Sequence, residues 1–81
     1  MTLYVGNISH IVNNAALSAL FETFGEVKSV KILTDNQTGQ SKGIGFVDMP
    51  DEHHALNAMN KLTNAVFFGR KLFVSKARPK S

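Results

Sequence analysis

Tyr4, Phe46 and Phe73 each sit in a short run of β-branched and aromatic residues that reads as a strand. Side chains alternate between the two faces of a strand, so each run splits into two sets. Leu3 and Val5 oppose Tyr4, while Gly45, Val47 and Met49 oppose Ile44, Phe46 and Asp48. Val30 and Ile32 oppose Lys31 and Leu33, and Leu72 and Val74 oppose Phe73 and Ser75. One face, with Leu3, Val5, Val47, Leu72, Val74, Gly43 and Gly45, suits burial, the glycines permitting close approach of helices. The other gathers Tyr4, Leu33, Ile44, Phe46 and Phe73, with Lys31, Lys42 and Lys71 nearby. An apolar, ring-bearing surface of this kind marks a binding site. Alternation alone leaves two alternatives open: the faces are reversed, or the C-terminal tail covers the rings.

Charge indicates what such a surface would attract. The chain carries nine Lys and Arg against six Asp and Glu, and five of the bases fall between Arg70 and Ser81 with no acid among them. The first 69 residues are therefore net acidic at −2 and the end is +5. A basic end of this kind suits a polyanionic partner, although such ends also serve as solubilising tails.

Other chemistries find little support. There is no cysteine, which excludes disulfide scaffolds, thiol catalysis and Cys-ligated zinc. His53 and His54 are consecutive, so on a helix they point about 100° apart, and no acid or cysteine cluster completes a metal site. His10 reads as a loop residue. Gly43-Ile44-Gly45 lies within a strand and does not open a helix, so it is not a phosphate loop. No nucleophile or paired acid and base emerges, and the expectation is a non-enzyme without a cofactor.

The elements that position these residues can be read from periodicity. Leu17, Leu20, Phe21 and Phe24 recur as one face of a helix, with Asn13 as N-cap and Gly25 at the left-handed C-cap position. Val27 to Leu33 reads as a strand, and Asp35 to Ser41 as the turn into the next, Gly43 to Met49. Asp51 caps a second helix whose buried stripe is Ala55, Ala58, Met59 and Leu62. Val66-Phe67-Phe68, turned by Gly69, leads into a last strand from about Lys71 to Lys76. Phe21, Phe24, Phe67 and Phe68 are expected in the core. Eighty-one residues allow one domain. The order β-α-β-β-α-β predicts a ferredoxin-like α+β fold: a four-stranded antiparallel sheet with two helices on one face. Two helices cover one face only, leaving the other for water or a partner. No signal peptide or membrane-spanning run is evident, and a cytoplasmic protein is expected.

Two segments resemble the RNA recognition motif family, and the resemblance covers essentially the whole chain. Leu3-Tyr4-Val5-Gly6-Asn7-Ile8 is similar to the family's RNP2 hexamer, and Lys42-Gly43-Ile44-Gly45-Phe46-Val47-Asp48-Met49 to its RNP1 octamer. Ala77-Arg78-Pro79 and the Asp35 to Lys42 loop resemble small bacterial proteins with a single such domain. The resemblance implies a domain over residues 1–77, a short basic tail over 78–81, and binding of single-stranded RNA by stacking of bases on the sheet. Tyr4 and Phe46 match the stacking positions and Lys42 the phosphate-contacting cation. Lys31, Lys71, Lys76 and Arg78 are further candidates for phosphate attraction, and Phe73 for a further stacking surface.

Departures from the pattern carry their own expectations. Ile44 replaces an aromatic residue that packs on sugars, so it keeps apolar contact without stacking. Met49 replaces a core-facing aromatic. Asp48 either accepts a hydrogen bond from a base amine or repels phosphate, and Asn7 either bonds a base or turns the chain. The implied partner is single-stranded RNA, with single-stranded DNA as the variant. No membrane or small-molecule substrate is implied, protein partners are undefined, and a monomer is expected. A protein-interaction module built on the same fold is the alternative function.

Overall fold

The computed structural model describes residues 1–34, 37–39 and 41–77, apart from the side chains of Ser41 and Lys42. The described elements are β1 (Thr2–Gly6), α1 (Asn14–Glu22), β2 (Ser29–Thr34), β3 (Ser41–Asp48), α2 (Glu52–Leu62), β4 (Val66–Phe67), β5 (Arg70–Lys71) and β6 (Phe73–Lys76). Both helices start where a side chain satisfies a donor that the first turn leaves unpaired. Asn13 Oδ1 accepts the Ala16 N–H at 2.8 Å, and Asp51 accepts the His54 N–H at 3.0 Å. α1 ends on Thr23 in right-handed conformation, so Gly25 is not the expected left-handed cap. Gly25 is nearly extended, with φ 157°, and a Cβ there would collide with the His54 imidazole of α2. Contact between the loop after α1 and the second helix, and not helix termination, requires glycine at this position.

Four of the strands form one antiparallel sheet in the order β2-β3-β1-β6, and β4 and β5 pair apart from it. Neither helical crossover joins neighbouring strands: β1-α1-β2 passes over β3, and β3-α2-β6 passes over β1. This is the split βαβ arrangement of the ferredoxin-like α+β fold. Register places Leu3 opposite Val47, and Val5 between Gly45 and Val74. Leu3, Val5, Val47 and Val74 share one core with Leu17 and Phe21 of α1 and Ala55, Ala58 and Leu62 of α2. Each fully buried Val, Leu or Phe contributes about 1.5–3 kcal/mol, which fixes this face of the sheet beneath the helices. No helix among the described residues is long and apolar enough to cross a membrane.

Three further details depart from the sequence expectation. The glycines of β3 make room for the chain leaving β1 and for β2, where close helix approach was expected. A Cβ on Gly45 would lie 3.0 Å from the Lys31 carbonyl oxygen and 3.2 Å from Ile8 Cδ1. Gly43, at φ 78°, stands where the β2–β3 register shifts, and its carbonyl accepts the Ile8 N–H at 3.0 Å. A glycine in left-handed conformation is what such an irregularity requires.

The second departure is the last strand. Arg70–Lys71 pairs with Val66–Phe67 in a separate hairpin, and the sheet strand starts only at Phe73. Leu72 lies between them, its N–H donating to the Ala65 carbonyl and its carbonyl accepting the Asn64 N–H. The third is Phe68, expected in the core and found 49% exposed at the tip of that hairpin.

Both outer strands meet a side chain along their open edge. Asn14 Oδ1 accepts the Ile32 N–H of β2 at 3.1 Å, and Thr63 Oγ1 accepts the Val74 N–H of β6 at 3.4 Å.

Candidate functional site

Directly opposed residues of an antiparallel pair project to the same face, so the register alone arranges the uncovered face into rows. Ser29, Asp48 and Thr2 form one row. Lys31, Phe46, Tyr4 and Ser75 form the central row, running across β2, β3, β1 and β6. Ile44, Gly6 and Phe73 form the third. Tyr4, Ile44, Phe46 and Phe73 therefore meet on the face opposite the helices, and Leu33 falls at the register shift.

Tyr4 is the centre of this surface. Its ring centroid lies 5.8 Å from that of Phe46 and 6.2 Å from that of Phe73, at interplanar angles of 69° and 71°. Edge-to-face pairs of this geometry hold one another in place beyond their area burial. The rings consequently do not present one flat sheet of faces, and a ligand stacked on one of them meets the edge of its neighbour. Tyr4 also leans over Gly6: a Cβ there would lie 3.2 Å from Tyr4 Cε1 and 3.3 Å from its Oη. Gly6 is buried although its row faces outward, because that ring covers it. Phe73 keeps 56% of its surface exposed.

The charged candidates disperse. Lys31 stands in the central row and is exposed. Asp48 stands at the far end, its Oδ1 3.7 Å from the Met1 amino group, so an ammonium offsets its charge. Lys76 is opposite Leu3, which places it on the helix side of the sheet, exposed at the strand end. Lys71 belongs to the β4–β5 hairpin, opposite Val66, and is exposed there. The Lys42 side chain, Arg78 and the tail beyond lie outside the described residues, and with them the question of whether the tail covers the rings.

Asn7 does more than the sequence suggested. It adopts φ 58°, a left-handed conformation that Asn tolerates. Its Nδ2 donates to the Lys71 carbonyl at 2.6 Å, and its Oδ1 accepts from Arg70 Nε at 3.1 Å and Nη2 at 2.6 Å. The amide is thus engaged at both ends within the protein and ties the hairpin to the end of β1. Arg70 was not singled out from the sequence beyond its charge. It follows the Gly69 turn directly, but no local pattern links it to a residue 63 positions earlier. Among the described residues no group of three or more His, Cys, Asp or Glu side chains is placed to hold a metal ion.

The chain is similar to known proteins over nearly its whole length. The RNA recognition motif profile matches residues 3–72. RbpA of Nostoc sp., named as an RNA-binding protein, is 45% identical over 80 residues, covering 99% of this chain and 78% of its own. The crystal structure of RNA binding protein PG1 superposes with a TM-score of 0.92 at 43% identity, covering 99% of both chains. A Sex-lethal protein–RNA complex superposes with a TM-score of 0.92 at 31% identity, covering 99% of this chain and 48% of that one.

Proposed function

We propose, from the premise that the chain belongs to the RNA recognition motif family, that it binds single-stranded RNA across the uncovered face of its sheet. The observation that carries this reading is the contiguous cluster of Tyr4, Phe46 and Phe73, with Lys31 in line with it on β2. Bases stack on Tyr4 and Phe46, at about 1–3 kcal/mol per base. Phe73 offers a third ring, and Ile44 gives apolar contact to a sugar. Lys31 attracts phosphates beside the rings, and Lys42, the phosphate-contacting position of the family motif, adds to that attraction. Lys71 and Lys76 act from the periphery, as a general field around the platform, and the charge of Arg78 adds to the basic end. Residues 1–77 act as the binding unit and 78–81 as its basic extension. The Ala77 N–H donating to the Thr2 carbonyl at 2.9 Å supports a boundary at that point.

The test is a Tyr4→Ala/Phe46→Ala double variant. Neither ring belongs to the core beneath the helices, so the variant stays folded by circular dichroism. Loss of two stacked bases weakens binding to short single-stranded RNA by at least about thirty-fold. Unchanged affinity in the folded variant would overturn the stacking assignment.

A further inference from the structure

Arg70 is exposed, yet its guanidinium is held before any ligand arrives. Two of its nitrogens, Nε and Nη2, point at the single Oδ1 of Asn7, whose other end is anchored on the Lys71 carbonyl. No carboxylate lies within ion-pair distance of Arg70 among the described residues. Counting donors shows what is left. A guanidinium carries five N–H groups in one plane. Asn7 takes the Nε proton and one on Nη2, so one proton on Nη2 and both on Nη1 remain. One from each nitrogen forms a parallel pair along the outer end of the group. Such a pair matches two acceptors side by side in a plane.

Position narrows the ligand. Asn7 follows Gly6, and Gly6 stands between Ile44 and Phe73 in the third row. The fork therefore sits at the end of the ring platform, where a base lying against Phe73 would present its edge. Two oxygens of a phosphate can take the same parallel pair, but the place of the fork beside the Phe73 ring favours the edge of a stacked base. Guanine offers two adjacent acceptors, N7 and O6, on one edge. Adenine sets a donor beside its N7, which would face an N–H of the fork, and uracil has no such pair. Cytosine sets O2 beside N3 on its Watson–Crick edge, but it lays a smaller ring against Phe73 than a purine does.

We propose that Arg70, positioned by Asn7, reads the N7 and O6 acceptors of a guanine bound at the Gly6–Phe73 end of the sheet. The inference rests on the RNA-binding reading above and adds to it a base preference at one position. A bidentate contact of this type discriminates by about 5- to 150-fold.

The experiment measures fluorescence anisotropy with uridine oligomers carrying one internal guanosine, adenosine or 7-deazaguanosine, the last lacking the N7 acceptor. The wild-type chain is expected to bind the guanosine oligomer about ten-fold more tightly than the adenosine one. The 7-deaza oligomer should fall between them or join the weaker. Arg70→Lys keeps the charge and loses the fork, so the guanosine-to-adenosine ratio should collapse towards one. Asn7→Gly keeps the left-handed backbone but frees the guanidinium, and should reduce the same ratio. A wild-type chain that binds all these oligomers equally, or that binds a cytidine oligomer as tightly as the guanosine one, overturns the proposal, as does an Arg70→Lys variant that keeps the preference. An Arg70→Gln variant that loses affinity equally for every oligomer, with a shallower salt dependence, overturns it too, since that marks a phosphate contact. In those cases the sheet-face reading stands. A wild-type chain that binds no oligomer removes the sheet-face reading itself.

Discussion

Gly45 illustrates how tightly single positions are constrained in a protein of two thin layers. The nearest atoms to a Cβ at this site are a backbone carbonyl oxygen at 3.0 Å and a buried methyl group at 3.2 Å. The carbonyl belongs to β2 and cannot swing aside as a flexible side chain would. Gly45→Ala should therefore destabilise the fold by about 1–3 kcal/mol, the usual cost of overpacking, measurable by urea unfolding. Stability equal to wild type would mean that β2 yields more readily than this geometry implies. Ile44 makes the opposite case. It stands on the open face beside the Gly6 position covered by Tyr4, where an aromatic ring would add stacking area. Ile44→Phe should tighten RNA binding by about five-fold or more if the new ring takes up a base, and an anisotropy titration decides it. At this scale much was legible in the sequence: alternation assigned Tyr4, Ile44, Phe46 and Phe73 to one face and Leu3, Val5 and Val47 to the other. It did not reveal that Asn7 spends its amide on Arg70 and Lys71, because that contact depends on where a distant hairpin lands.

The hairpin between β4 and β5 is the element least predictable from local pattern. Its two turn residues, Phe68 and Gly69, both have positive φ, 53° and 81°, which defines a type I′ turn. Gly suits this conformation, whereas a bulky side chain pays about 1–2 kcal/mol there. The edge-to-face contact of Phe68 with Phe67, at 4.7 Å between centroids, returns part of that. For a half-exposed ring the return sits near the low end of about 0.5–1.5 kcal/mol. Strain therefore outweighs contact, and Phe68→Asn should raise Tm by roughly 2–6 °C in a domain of this size. A lower Tm would show that the aromatic pair matters more than the turn.

The second helix gives a pH prediction. Asp51 accepts the His54 backbone N–H, which holds its carboxyl below the ordinary aspartate pKa, with the His54 charge adding to the effect. A folded pKa below the unfolded one gives stabilisation that is complete above the ordinary aspartate range and fades as pH falls through the lowered value. Asp51→Ala should thus lower Tm at neutral pH, and the difference from wild type should shrink towards zero in strong acid. A difference independent of pH would remove the carboxylate from the account. Both N-caps were readable because capping is local chemistry. The role of Gly25 was not, since it depends on His54 arriving from the other helix.

For the molecule as a whole, the order of elements and the division into a covered and an uncovered face followed from two periodicities, near 3.6 for the helices and 2 for the strands. What periodicity missed were the places where it breaks: the register shift at Gly43, and Leu72, which looked like part of a strand and instead links the hairpin to it. Both breaks sit beside the chain segment that leaves β1 and carries Asn7, so irregular backbone collects where the open face ends. The remaining consequence concerns the rims of the sheet. An exposed outermost strand is normally an invitation for another copy to continue the ladder. Here the amide at the middle of one rim is plugged by Asn14 and that near the start of the other by Thr63. Filamentous growth by edge pairing is thereby obstructed at both ends of the sheet. Removing a plug, as in Asn14→Ala, should bring on fibril formation at concentrations the wild-type chain tolerates, a change that light scattering and a cross-β dye would register.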